Sequence, residues 1–381
     1  MRPRWTGGVE GDAESAEFRG RHRPGLSPAL MAALLVSTPV AAQTTAEPLD
    51  SLAREFVESG RLHGGLLVAD SDGVVYRAAF GQADREKGIP NRPETLYPAH
   101  SITKSFTAVL VLQLVDDGAI ELDGTLSDYL PSLPSPDWGA VTIHQLLGHR
   151  SGIPDYFFGS PPVYRECHGR TLSGKALLER VASMPLEFRP GEGFSYSNTG
   201  YALLGRVIEV MTGEAYADAL RERILDPLLM TATRWLASLD DPRIARQYMS
   251  GAGEEAPLEV VHPGQSGVVT TLDDLYRFVR ALGSPELLAP ETWRLAFTPH
   301  SRPQEASRPI PPHTFPYGYG FGLAEPPDRA ELAVLHGGSG CGGTALYYRL
   351  MDSGRIVILW NNRGDLQPDV ALTAEILSLL R

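Results

Sequence analysis

The chain is short of lysine and cysteine, has no basic cluster past residue 23, and nowhere carries a membrane-length apolar run. Each shortage excludes something. A formal net charge of −12 without clustered Lys and Arg leaves no nucleic-acid surface. No stretch reaches the roughly 20 apolar residues that a membrane helix needs, so no membrane span is expected. Two cysteines, Cys167 and Cys341, are too few for a disulfide scaffold and have no ligand-spaced partners for zinc. They can form one bridge in an oxidising compartment or remain two thiols, and their spacing does not choose between these. No Gly-x-Ser-x-Gly elbow occurs, which argues against an ordinary α/β-hydrolase.

What is present reads as a globular enzyme: 381 residues, 43% hydrophobic and 21% charged. Residues 1–42 read as a leader. Arg19, Arg21 and Arg23 precede an apolar run from Ala29 to Ala42, and Val40-Ala41-Ala42 before Gln43 suits a signal peptidase. The expected location is therefore periplasmic or secreted, with the working domain at 43–381.

Helical spacing over Leu49–Ser59 ends at Gly60. Apolar runs Gly65–Asp70 and Val74–Phe80 around Ser71-Asp72-Gly73 predict a hairpin. Ile102–Asp117 is apolar nearly all round, so it must be a helix buried on every side, stopped by Gly118. Helical patterns follow at Ile143–Leu147, Leu172–Ala182, Gly200–Met211 and Tyr216–Ile224, and Thr271 caps Leu272–Leu282. Strands return at Gly318–Leu323, Ala333–His336, Thr344–Leu350 and Ile356–Trp360, before a last helix over Asp369–Leu380. The pattern predicts an α/β fold: a mostly antiparallel sheet drawn from both chain ends (about 46–100 and 266–381), flanked by helices, with a helical lobe (about 101–265) inserted.

The scarcity of lysine singles out Lys104. Only Lys87, Lys104 and Lys175 occur among 34 basic residues. Arg stays protonated in a protein, whereas burial can strip the proton from Lys. Lys104 follows Ser101 by three residues on the apolar helix, so both side chains emerge on one face. An amine so placed can take a proton from a hydroxyl nucleophile. Alone, a Ser-x-x-Lys is a weak motif that a surface Ser and a snorkelling Lys also satisfy.

Two further motifs strengthen it. Tyr196-Ser197-Asn198 is the single Tyr-x-Asn, and Asn198 is one of four asparagines. A Tyr beside an amine can be partly ionised and act as base or acid, and the Asn amide can accept from Lys104 and donate to a substrate carbonyl. His336-Gly337-Gly338-Ser339 lies where a substrate could run along a strand edge and a backbone N–H could bind an oxyanion. His63-Gly64-Gly65 has the same letters, but it precedes Ser101 at the start of the sheet.

Ser101-Ile102-Thr103-Lys104, Tyr196-Ser197-Asn198 and His336-Gly337-Gly338, in this order and rough spacing, resemble the serine β-lactamase and penicillin-binding-protein family. The class C β-lactamases, D-alanyl-D-alanine carboxypeptidases, D-aminopeptidases and lactamase-like esterases share the pattern. The stretches His144–Ile153 and Ser266–Leu275 look similar too. The resemblance covers about residues 48–381. It implies a β-lactamase/DD-peptidase-like fold and an acyl-enzyme at Ser101, with Lys104 and Tyr196 moving protons. It places Asn198, His336, Gly338 and Ser339 about a small-molecule or short-peptide substrate, the oxyanion lying between the backbone N–H groups of Ser101 and Ser339. It calls for no metal or organic cofactor. Where true β-lactamases of this group carry Lys-Thr-Gly, this chain has His336-Gly337-Gly338, which favours ester or peptide substrates over penicillins. A protein that acylates at Ser101 without turnover, and acyl transfer to an acceptor other than water, fit the same motifs.

Overall fold

The computed structural model describes residues 40–156, 174–237, 240–249, 255–256, 262–305, 315–326, 330–364 and 366–380. The expected leader falls outside these except for Val40–Ala42, and Cys167 also lies outside. Cys341 is disulfide-bonded.

A six-stranded sheet organises the described residues. Its order is Gly73–Ala79, Gly64–Asp70, Ile356–Asn361, Thr344–Leu350, Ala333–Ser339 and Gly322–Ala324, each pair antiparallel. The predicted hairpin is therefore present, and its first strand pairs with the last strand of the chain, Leu66 opposite Leu359. The two chain ends do build one sheet.

Period-two alternation decides which side chains face which layer. Leu66, Val68, Leu346, Val357 and Leu359 pack on one face with Leu49, Ala53 and Phe56 of the helix Val40–Glu58 and Leu372 and Ile376 of the helix Gln367–Leu379. Leu67, Ala69, Ala345, Tyr347, Ile358 and Trp360 face the other way, into the larger core around the helix Thr103–Asp116. Strands covered on both sides read as near-continuous apolar runs, as these do.

The helix Thr103–Asp116 is the buried one that the sequence demanded. Every residue from Thr103 to Leu112 is buried, and Phe106 stacks on Phe278 at 3.8 Å between ring centroids. Its hydroxyls are satisfied: Ser105 donates to the Gly320 carbonyl, and Thr107 to that of Gly264. Gly118 takes φ +71° and ends it. Thr271 caps Leu272–Ala281 by accepting from the Asp274 amide.

Several boundaries differ from expectation, and the strand expected over Ala333–His336 runs on to Ser339. The strand expected over Gly318–Leu323 is Gly322–Ala324, because Gly320 turns at φ +79° and sits against the Lys104 carbonyl, where a Cβ would come within 3.0 Å. The helix expected over Tyr216–Ile224 is α-helical only to Leu220 and widens into a π turn over Arg221–Leu225. The first helix begins at Val40 and runs through Pro48, rather than starting at Leu49.

Candidate active site

Ser101 lies in a single 3₁₀ turn, His100–Ile102, that leads into the buried helix. His100 has φ +46°, a left-handed conformation uncommon for a non-glycine residue. The turn is anchored on one side by a three-stranded sheet in which Tyr97–Pro98 pairs with Val268–Thr270, and by a hydrogen bond from the Ala99 amide to the Val268 carbonyl. On the other side it abuts the strand Ala333–Ser339. A Cβ on Gly338 would fall 2.7 Å from the Ala99 carbonyl oxygen and 2.8 Å from the His100 Cβ. Only glycine fits there.

Ser101 is half-buried, while Lys104 is fully buried and Tyr196 nearly so. The Lys104 Nζ lies 3.2 Å from Ser101 Oγ, 2.7 Å from Asn198 Oδ1 and 3.1 Å from the Gln265 carbonyl oxygen. Burial pushes the amine down to about 7, opposed by the negative charge of Asp155. Tyr196 shares a hydrogen bond with the Ser101 side chain, and its ring centroid is 5.0 Å from Nζ. Burial drives the phenol well above its ordinary range, and Asp155 adds to that, against the Ser101 hydrogen bond. Of the two roles that the sequence leaves open for Tyr196, burial favours the protonated one, the acid, while it loosens the proton of Lys104.

Asn198 opens the helix Asn198–Thr212, whose cap is Ser197, accepting from the Gly200 amide at 3.1 Å. With Oδ1 taken by Lys104, only its NH2 is left as donor for a substrate carbonyl. Its backbone N–H donates to the Asp155 carboxylate.

The structure brings Ser101, Lys104, Tyr196 and Asn198 into one hydrogen-bonded group, with Gly338 against its edge. Ser339 is the exposed end of that strand. His336 stands apart from them: it is 3% exposed, with Nδ1 2.7 Å from the Gly337 carbonyl and Nε2 3.0 Å from the Tyr317 hydroxyl. A carbonyl only accepts, so Nδ1 carries a proton, and Nε2 shares its bond with a hydroxyl that can both donate and accept. Tyr317 in turn lies edge-on to Tyr196 at 6.4 Å between centroids, so His336 is one tyrosine removed from the proton-handling group.

Two contributors escape a reading of motifs. Asp155 is a fully buried carboxylate just past the quoted His144–Ile153 stretch, and its charge acts on both Lys104 and Tyr196. Gln265 contributes only its carbonyl; the neighbouring Gly264 adopts φ +85°, which lets the chain approach the Tyr201 carbonyl. Among the described residues no group of three or more His, Cys, Asp or Glu could hold a metal ion, and no helix is long and apolar enough to cross a membrane.

The chain is similar to known proteins over most of its length. The family model described as Beta-lactamase matches residues 49–381. Penicillin-binding protein 4* of Bacillus subtilis (strain 168) is 27% identical over 343 residues, covering 85% of this chain and 73% of that protein. Esterase EstB of Burkholderia gladioli is 32% identical over 289 residues, 66% of this chain and 73% of that protein. A solved penicillin binding protein from Bacillus halodurans superposes with a TM-score of 0.73 at 27% identity, covering 87% of this chain and 98% of that one.

Proposed function

Because the chain belongs to the Beta-lactamase family of serine hydrolases, we propose that it hydrolyses an ester or amide through an acyl-enzyme formed at Ser101. One observation carries this reading: the three partners of the Lys104 nitrogen. A neutral amine has two N–H donors and one lone pair. Asn198 Oδ1 and the Gln265 carbonyl can only accept, and they take the two donors. The ammonium can donate to all three neighbours, but once the amine is neutral its lone pair is left for Ser101 Oγ, the one neighbour with a proton to give.

The chemistry follows. Ser101 Oγ attacks the carbonyl carbon as its proton passes to Lys104 Nζ. The oxyanion is held by the backbone N–H groups of Ser101 and Ser339. As the bond to the leaving group breaks, the leaving group receives a proton from the Tyr196 hydroxyl, which is replenished from Lys104. Water then adds to the acyl carbonyl, its proton moving back through the same pair, and the acid leaves as Ser101 regains its hydrogen.

The substrate is a small ester or short peptide, and β-lactam turnover is slow or absent. Both ring nitrogens of buried His336 are engaged inside the protein, by the Gly337 carbonyl and the Tyr317 hydroxyl, so this position does not present a substrate carboxylate with the constant charge of a lysine. Export belongs to the same proposal and rests on Arg19, Arg21, Arg23 and the apolar run that follows them. A mature N-terminus at Gln43 supports it; a native protein retaining residues 1–42 contradicts it.

The deciding experiment is intact mass spectrometry with a fluorophosphonate probe on the wild-type protein and Ser101→Ala. One adduct on Ser101, absent from the variant, is expected; an adduct on Ser151 or Ser339 instead defeats the assignment. A panel of short-chain p-nitrophenyl esters, D-Ala-D-Ala peptides and nitrocefin then sorts ester from peptide hydrolysis, and rapid nitrocefin turnover overturns the exclusion of β-lactams.

A further inference from the structure

We propose that His149 is a positioning residue that clamps the main chain on both sides of Tyr196 and so sets where the phenol lies. The proposal rests on the reading of Tyr196 as a proton carrier. The Ser195 amide donates to the His149 carbonyl at 3.0 Å, and the Ser197 amide donates to His149 Nδ1 at 3.1 Å. The residue between those two amides is Tyr196. The imidazole lies over the Tyr196 ring as well, 4.3 Å between centroids at 37°. One residue thus holds the catalytic tyrosine by the chain before it, the chain after it and its own face.

The local backbone explains how one residue reaches both amides. The helix Ile143–Leu147 ends at Gly148, and His149 follows in the left-handed region at φ +58°. For a non-glycine residue that conformation is uncommon, and it persists where surrounding contacts fix it. The reversal lets the carbonyl and the ring nitrogen meet the same extended stretch. Arg150 extends the grip: its carbonyl accepts from the Gly191 amide at 2.8 Å, and its guanidinium donates to the Gly191 carbonyl at 2.5 Å. His149 is 1% exposed, and its ring is also packed by Tyr201 and Tyr317 at 4.9 and 4.8 Å between centroids.

The role of Nδ1 is chemically specific. A backbone N–H only donates, so Nδ1 must be the lone-pair nitrogen. A replacement preserves the clamp only if it places an acceptor at the same bond distance from Cα and tolerates the left-handed backbone. Asparagine does both, its Oδ1 standing where Nδ1 does. Phenylalanine keeps a ring against Tyr196 but has no acceptor, leaving the Ser197 amide buried and unpaired.

The test compares His149→Asn, His149→Phe and His149→Ala in steady-state hydrolysis of a p-nitrophenyl ester, with fluorophosphonate labelling followed in parallel. The expected result is kcat for the Asn variant within about tenfold of wild type, and a loss on the order of 100-fold for Phe and Ala, with KM little changed. Equal kcat for Asn and Phe, or a Phe variant better than Asn, overturns the clamp. If the Phe variant does not fold, the Asn-to-Ala ratio of kcat decides, a ratio near one overturning the proposal and a ratio above about ten supporting it. Absence of Ser101 labelling in the wild-type protein sinks the hydrolase reading and the clamp with it. Normal wild-type labelling with indistinguishable variants sinks the clamp alone.

Discussion

A Cβ on Gly338 would sit 2.8 Å from the Ser101 amide nitrogen, closer than real Cβ atoms come to any neighbour. The end of the strand Ala333–Ser339 and the nucleophile turn therefore share one tightly packed wall, and the oxyanion donors proposed at Ser101 and Ser339 depend on that spacing. Gly338→Ala is expected to slow fluorophosphonate labelling of Ser101 by about 100-fold or more, the size of effect seen when an oxyanion donor is displaced. Unchanged labelling would show that the wall can yield without moving the donors.

The pH dependence of kcat/KM follows from Lys104. Its amine is pushed down to about 7 by burial and must be neutral to accept the Ser101 proton. Activity should therefore rise about tenfold per pH unit below that value and level off above it. The sign for stability runs the same way. Between about 7 and the ordinary lysine range the unfolded chain binds more protons than the folded one, so stability increases with pH across that window. Lys104→Met should lack this slope in denaturant titrations; a slope equal to wild type would place the titration elsewhere.

Asp155 opposes the effect of burial on Lys104. Asp155→Asn removes the charge but keeps an oxygen able to accept from the Asn198 amide. The acid limb of the rate profile is expected to move to lower pH, since the amine loses the carboxylate that favours its charged form. A limb that stays put, or moves upward, refutes the electrostatic role.

Tyr196→Phe removes a proton carrier while leaving the ring that packs on His149. A loss of about 10²- to 10⁴-fold in kcat is expected, with the position of the acid limb retained, because that limb belongs to the lysine. Pre-steady-state assays of p-nitrophenol release separate acylation from deacylation, and an undiminished rate in both phases would remove Tyr196 from the mechanism.

The helix bearing Lys104 is held from behind by Phe106, fully buried against Phe278. Phe106→Ala should cost about 3–5 kcal/mol, as other large-to-small changes in tightly packed cores do. The denaturant midpoint reads this directly, and a shift worth under 1 kcal/mol would mean that the core around Phe278 collapses into the space.

Much of this site could be read from letters alone, for reasons that differ by residue. Ser101 and Lys104 were legible because three residues make one helical turn, and because lysine is rare in this chain. Tyr196 and Asn198 were legible through the scarcity of asparagine and their place before a helix. Asp155 was not: it is one of 46 acidic residues, and its influence comes from burial beside Lys104, which sequence order does not encode. Gln265 was not, because a backbone carbonyl has no side-chain signature. The protonated state of Tyr196 likewise depends on how dry its surroundings are. In the fold, Gly318–Leu323 has the composition of a strand, but Gly320 in a left-handed turn against the nucleophile helix splits it.

The strand Gly64–Asp70 waits for Ile356–Asn361 to complete its ladder, and the His63 amide reaches an Asn361 side chain 298 residues further on. Until residues 356–361 have been made, Gly64–Asp70 therefore has no partner on that side. Shortening the chain before residue 356 would expose the flanks of both Gly64–Asp70 and Thr344–Leu350 at once, two ready templates for pairing with other molecules. The strand Ile356–Asn361, remote in sequence from Ser101, thus covers two strand edges at once.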